Sequence, residues 1–174
     1  THYRSDSESR VLNLKFNIDP GFHLIDPANP LMYQIAMGAS ASMNLLGGWS
    51  LNARCRLDLV NTFDRIWRVS NSVLPHVRSD LREYLQQGSS RIDNLYIQRF
   101  GNFGRDVYYH AFGGILEWMY MGAGGEILYL PFRSPVAFGA NLIAVKQRDF
   151  AGGFGTRDYD TVTSHVSIYW ATPF

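Results

Sequence analysis

From Trp49 to Leu59 every second residue is apolar: Trp49, Leu51, Ala53, Cys55, Leu57 and Leu59. Ser50, Asn52, Arg54, Arg56 and Asp58 stand between them. Side chains alternate across a β-strand, so this spacing gives an unbroken apolar row on one face. Two arginines and an aspartate share the other. A soluble antiparallel sheet satisfies the pattern with its charges in water. A membrane barrel satisfies it with the apolar row in lipid and the charges in a wet lumen. This strand alone does not choose.

The same period recurs along the chain. In Val11–Ile18 the apolar set is Leu12, Leu14, Phe16 and Ile18; in Leu31–Met43 it runs from Leu31 through Tyr33, Ile35 and Met37 to Met43. Further strands are expected over Ile92–Arg99, Val107–Leu116, Gly122–Leu130, Val136–Arg148 and Tyr159–Trp170. Several run to about a dozen residues, against roughly 5–6 for an ordinary strand. Trp49, Trp118 and Trp170 fall near strand ends, where a membrane wall carries aromatic girdles. Links alternate in length. Short ones are expected around Gly47-Gly48, Gly101-Asn102 and Phe132-Arg133-Ser134, and long ones at Asp19–Pro30, Asn61–Arg91 and Asp149–Asp158. The link near Tyr120 breaks the rule. Short turns on one side and long loops on the other characterise outer-membrane barrels.

Composition agrees. Charged residues are 18% of the 174, against about 25% in soluble domains. Aromatics reach 14%, with sixteen glycines. A formal charge of +1 selects neither nucleic acid nor an acidic partner. No run holds the roughly 18 apolar residues of a transmembrane helix, which does not bear on a barrel strand. The opening Thr1-His2-Tyr3-Arg4-Ser5-Asp6 lacks an apolar signal region, so a mature form or an excised segment is expected. The whole of 1–174 reads as one β-barrel domain or barrel segment of about eight antiparallel strands.

One short helix is expected over Val77–Gln87, inside the longest link. Asn71-Ser72 offers a cap, Pro75 suits a first turn, Val77, Leu81, Tyr84 and Leu85 recur at helical spacing, and Gly88 ends it. A helix this short is marginal in water without docking. It is expected to cover a barrel rim or plug the lumen, with Arg78 and Asp80 reaching Arg54, Arg56 or Asp58.

Catalytic signatures are sparse. The five histidines form no HExxH or zinc spacing, no GxSxG elbow occurs, and Gly122-Ala123-Gly124-Gly125 lacks a Walker lysine. No metal, cofactor or catalytic residue is assigned. Glu117 and Glu126 invite a glycosidase reading, because paired carboxylates hydrolyse sugars. Against it stands a rim or lumen carboxylate paired with arginine. Arg54, Arg56 and Asp58 would contact a sugar chain or neutralise one another across strands. Leu51, Ala53, Leu57, Leu59, Phe138, Leu142, Val166 and Ile168 are expected to meet lipid. Arg54, Arg56, Asp58, Asn141, Thr163 and His165 are expected to face the lumen.

The segment Asn71-Ser72-Val73-Leu74-Pro75-His76-Val77-Arg78-Ser79-Asp80 resembles the YjbH/GfcD family of bacterial exopolysaccharide and group 4 capsule biosynthesis proteins. Gly114-Ile115-Leu116-Glu117-Trp118-Met119, Gly122–Phe132, Ala137–Asn141, Val145–Phe150, Asp158–Thr163 and Ser167–Trp170 continue it in order. The matched region runs from about Asn61 to Phe174. Asn141 stands where the pattern calls for an acid, and Leu130 where it calls for arginine. The resemblance implies an outer-membrane β-barrel lipoprotein made with polysaccharide-export machinery. Polysaccharide, outer-membrane lipid and other export proteins are the implied partners, and no catalytic residue comes with it. Members are longer and begin with a lipoprotein signal and a modified cysteine. Cys55 lies mid-strand and is not that anchor, so the chain is expected to be a segment. A non-catalytic role in capsule or exopolysaccharide export is the leading expectation. An outer-membrane sugar-modifying enzyme using Glu117 and Glu126, or a soluble carbohydrate-binding β domain, are the alternatives.

Overall fold

The computed structural model describes residues 11–24, 31–66 and 80–172. Eight strands form one antiparallel sheet in sequence order: β1 (Leu12–His23), β2 (Met32–Asn44), β3 (Trp49–Asn61), β4 (Ser90–Phe103), β5 (Val107–Ile115), β6 (Tyr120–Tyr129), β7 (Val136–Arg148) and β8 (Thr156–Trp170). Among the described residues one α-helix, α1 (Leu81–Gln87), precedes β4. The sheet is not closed: β1 and β8 are its edges. It has the order and strand lengths of part of a barrel wall. Pro20, which cannot donate to a ladder, lies in edge strand β1.

The register carries the alternation across all eight strands. Leu14, Ala41, Ala53 and Leu95 stand opposite one another in turn, and Ile127, Ala140 and Val166 do the same at the far side. The apolar set is open to the surroundings: Leu14, Phe16, Leu57, Leu142, Val166 and Ile168 are all exposed, Val166 to 83%. On the other face Lys15, Ser40, Arg54 and Asn94 align, and farther along His110, Glu126, Asn141 and His165 align. No second layer covers the apolar face among the described residues. An apolar surface spread over eight strands exceeds the few hundred Å² a soluble monomer exposes.

The buried apolar side chains gather at one end of the sheet. Met32, Phe63, Ile66 and Leu85 form one cluster; Tyr84, Met119 and Tyr120 form another, flanked by Trp118, Val145, Phe150 and Tyr159. Helix α1 joins them. Its Leu85 meets Met32 of β2, and its Tyr84 packs with Tyr120 of β6. Asp80, at its N-cap position, accepts a hydrogen bond from Gln147 of β7 at 3.0 Å. Met32, Tyr120 and Gln147 lie on the polar-face side of strands four and five places apart. One seven-residue helix reaches all three only because the sheet curls around it, so the polar face is concave. Glycines permit the curl. Gly114 of β5 and Gly122 of β6 stand opposite each other. A Cβ on Gly114 would meet the Leu95 carbonyl, and one on Gly122 the Ala144 carbonyl. Gly114 also has φ 133°, which side-chain-bearing residues rarely adopt.

Links sort by end as expected. The end opposite α1 has a short turn at Leu46–Gly48, a three-residue turn at 104–106 and the 130–135 connection; the helix end has the long link between β3 and β4, with Phe63–Arg65 in a 3-10 turn. Two expected links lay partly elsewhere: Asp19–His23, expected in the first long link, extend β1. Gly101-Asn102 is inside β4, paired with Tyr109 and Tyr108, and the chain reverses after Phe103. The helix also begins later than expected. Asp80 is its N-cap, with ψ 27°, and Leu81 its first residue. Val77, Arg78, Pro75 and the Asn71-Ser72 cap lie outside the described residues.

Candidate functional site

The concave face holds two polar groups. The first spans β1 to β4. Arg54 and Arg56 each reach Asp19 of β1, at 3.2 and 3.4 Å, and Asp93 of β4, at 3.7 and 3.5 Å. Arg91 adds a 2.9 Å contact to Asp93. The two arginines are therefore paired with carboxylates of β1, two strands away, and of adjacent β4, and not with Asp58 of their own strand. Asp58 takes no part in these pairs. It accepts hydrogen bonds from Gln34 and, at 3.3 Å, from Asn61. Asp93 is present because of a β-bulge: Arg54 pairs with Asn94 and Cys55 with Ile92, leaving Asp93 extra on β4. Such an insertion re-aims side chains. It inverts the parity of β4 and brings Arg91 to the concave side opposite Arg56. A strict period-two reading does not find it. A second bulge, between Ile35 and Ala36, leaves Leu59 unpaired and exposed beside Val60.

The second group is a ladder across β3 to β8. His165 Nδ1 donates to Asn141 Oδ1 at 3.1 Å, and Asn141 stands opposite Glu126. Glu126 lies 3.6 Å from His110 Nδ1, whose Nε2 donates to Gln98 Oε1 at 3.0 Å. Gln98 donates onward to Ser50 Oγ at 3.1 Å. Glu126, Asn141 and His165 were singled out from the sequence; His110, Gln98 and Ser50 were not. Their link is cross-strand register, which couples residues far apart in the chain. Beside the ladder lies a cleft of about 460 Å³ bordered by Phe100, Tyr108, Glu126, Asn141 and Tyr169. Phe100 stacks on the His110 ring at 4.1 Å.

Glu117 belongs to neither group. It sits in the turn before β6 and hydrogen-bonds through its backbone with Tyr120. Six strand steps from Tyr120 to Glu126 amount to roughly 20 Å. The structure does not bring the two carboxylates to the roughly 5–10 Å that paired glycosidic acids need. Asp80, expected to reach the charges of β3, bonds Gln147 instead. The reason is the short helix, which Tyr84 and Leu85 hold at the rim.

The rim is organised by Arg148, fully buried at the end of β7. Its guanidinium donates to the carbonyls of Ile92, Glu117, Trp118, Gly152 and Gly153 at 2.6–3.2 Å. The Arg148 carbonyl accepts the Tyr84 hydroxyl proton. Burial pushes the Tyr84 phenol up from 10 to about 12, since the anion would lose solvent, with Tyr120 and Asp80 adding to the rise and the Gln147 side chain opposing it. The folded state thus favours the neutral phenol. Its stabilisation is complete below pH 10 and disappears as pH rises through 12, a change of about 2–3 kcal/mol. Tyr84→Phe is expected to remove that alkaline step, read as the pH dependence of tryptophan fluorescence from Trp118, whose ring meets Tyr84 at 5.7 Å.

Residues 2–174 match the YjbH family, described as exopolysaccharide biosynthesis protein YbjH. The chain is 34% identical over 167 residues to the uncharacterized lipoprotein YjbH of Escherichia coli (strain K12). That match covers 91% of this chain and 24% of the relative, so the chain spans about a quarter of that protein's length. No solved structure matches. With near-complete coverage by the family and an eight-stranded sheet of the expected order, the chain belongs to the YjbH exopolysaccharide biosynthesis family.

Proposed function

We propose that the chain is part of the wall of a bacterial outer-membrane β-barrel that assists exopolysaccharide or capsule export without catalysis. The observation that carries this reading is the sorting of two faces across eight strands. The apolar face has no protein cover among the described residues, and lipid is the solvent that suits it. Trp49, Phe103, Tyr129 and Trp170 are exposed near the short-turn end, and Arg99 lies over the Trp49 ring at 5.5 Å. Aromatic rings with a snorkelling cation are the composition of an interfacial girdle. The relative's name as a lipoprotein fits a membrane setting. The concave face, rich in amides, hydroxyls and balanced charge, suits a hydrated glycan.

Nitroxide labels at Ala53 and Asn52 test this in the full-length protein in bacterial outer-membrane vesicles. The Ala53 label is expected to collide with oxygen dissolved in lipid, and the Asn52 label with a water-soluble nickel chelate. Equal access to the chelate at both sites would favour the soluble β domain. An arginine at Ala53 should cost roughly 2–4 kcal/mol in the bilayer. Helix α1 stands at one mouth of the concave face, docked by Leu85 and Tyr84. We propose that it narrows the glycan path. Replacing residues 80–88 by a Gly/Ser linker is expected to raise single-channel conductance; unchanged conductance and export would make it surface structure.

A further inference from the structure

We propose that the cleft between Phe100, Tyr108 and Tyr169 is a subsite for neutral pyranose units of a glycan chain. This rests on the reading of the concave face as a polysaccharide path, and names what that path recognises. The three rings stand on the concave face beside Leu128, Leu130 and Ala137 and the polar Glu126, Asn141 and Ser167, and each is substantially exposed: 55% for Phe100, 43% for Tyr108 and 56% for Tyr169. Tyr169 lies against Gly139; a Cβ there would meet its ring at 3.1 Å. The missing side chain gives the ring a seat on the wall, so it presents a face rather than an edge. Phe100 has one face covered by His110, in a stack inclined by only 6°. Flat, half-covered rings expose a negative π face. The C–H face of a pyranose is the complementary surface.

The polar groups around the rings suit hydroxyls. Glu126 offers a carboxylate that is half exposed. Asn141 uses its carbonyl oxygen on His165 and retains its amide hydrogens for a ligand. Ser167 adds a hydroxyl at the cleft wall. Among the lining residues the charge is the Glu126 carboxylate, with His110 as its neighbour. Among the described residues no lysine or arginine lines the cleft. A uronate would meet Glu126 with no fixed cation to offset repulsion. The geometry therefore selects neutral sugars over acidic ones at this point of the wall. The cleft volume of about 460 Å³ lies in the range of small-ligand sites.

The test uses the full-length protein in detergent micelles, with maltohexaose as the neutral probe and a galacturonate hexamer as the acidic one. Saturation-transfer NMR on the sugar C–H protons and titration for Kd are the readouts. Maltohexaose is expected to receive saturation on one ring face and to bind more tightly than the uronate by about tenfold at low salt. Tyr169→Ala and Phe100→Ala should each weaken maltohexaose by about three- to tenfold. Tyr169→Phe, which keeps the ring, should stay within about twofold, separating stacking from misfolding. Glu126→Gln should narrow the gap between the two sugars. Equal binding of both oligomers, or ring truncations without effect, overturns the proposal. If the Ala53 and Asn52 labels show the lipid–water contrast while neither sugar binds, the subsite falls and the barrel-wall reading stands.

Discussion

Arg148→Met is expected to destabilise the folded chain by about 3–5 kcal/mol, the largest single effect of any substitution outside the glycines. The guanidinium is fully buried and serves five carbonyls drawn from β4, the turn before β6 and the loop after β7. Methionine fills part of the volume and supplies no donor. Each buried carbonyl left without a partner costs roughly 1–3 kcal/mol, and relaxation lets water recover part of the sum. Arg148→Lys is expected to restore less than half. A lysine has three donors on a compact ammonium and does not span the carbonyls that a planar fork reaches. Urea titration in lipid vesicles, followed by tryptophan fluorescence, reads both variants. Trp118 is a suitable reporter because its carbonyl is one of the five acceptors and its ring is stacked by Arg91 at 4.2 Å. A loss below about 1 kcal/mol for Arg148→Met would show that the rim is held by its apolar clusters instead.

Gly122→Val and Gly114→Val are expected to prevent the sheet from reaching its native curl. At Gly122 a Cβ would strike the Ala144 carbonyl and approach Val145 Cα to 2.8 Å. At Gly114 it would strike the Leu95 carbonyl and approach Tyr96 Cα to 2.9 Å. These obstacles are backbone atoms in paired strands, so no rotamer change clears them. Gly114 adds the strain of a positive φ, on the order of 1–3 kcal/mol. Each variant should lose several kcal/mol and accumulate as unfolded chain, read by loss of heat-modifiable migration in detergent gels. Gly125→Val is the control. Gly125 lies on the apolar face, where the nearest atom to a Cβ is the His110 carbonyl at 3.5 Å. It should fold with near-native stability.

The candidate site was legible in part. Arg54, Arg56, Glu126, Asn141 and His165 stand on one face because alternation places them there, and no pairing information is needed to see that. Their partners are another matter. Asp19 lies 35 residues from Arg54, and His110 lies 16 from Glu126 with a turn between. Asp93 enters through a bulge, and a bulge is decided by how two strands fit. Arg148 had no distinguishing mark, since its role is written in five carbonyls whose positions only the assembled rim defines. Asp58 pairs with Ala36 of β2, and its hydrogen bonds come from Gln34 and Asn61, so it neutralises neither arginine.

The period-two pattern by itself determined where the strands lie and, away from the bulges in β3 and β4, their two faces, because side-chain parity is a local property. A helix over Val77–Gln87 followed from spacing, whereas its first residue in the structure is Leu81. What only the tertiary structure decided is which face is concave, which charges meet and where the sheet bends. Those depend on register and backbone contact between strands, on Gly114 against Gly122 and on Leu85 and Tyr84 pinning β2 to β6 through one helix. They are set by distances across the sheet, and no distance along the chain encodes them.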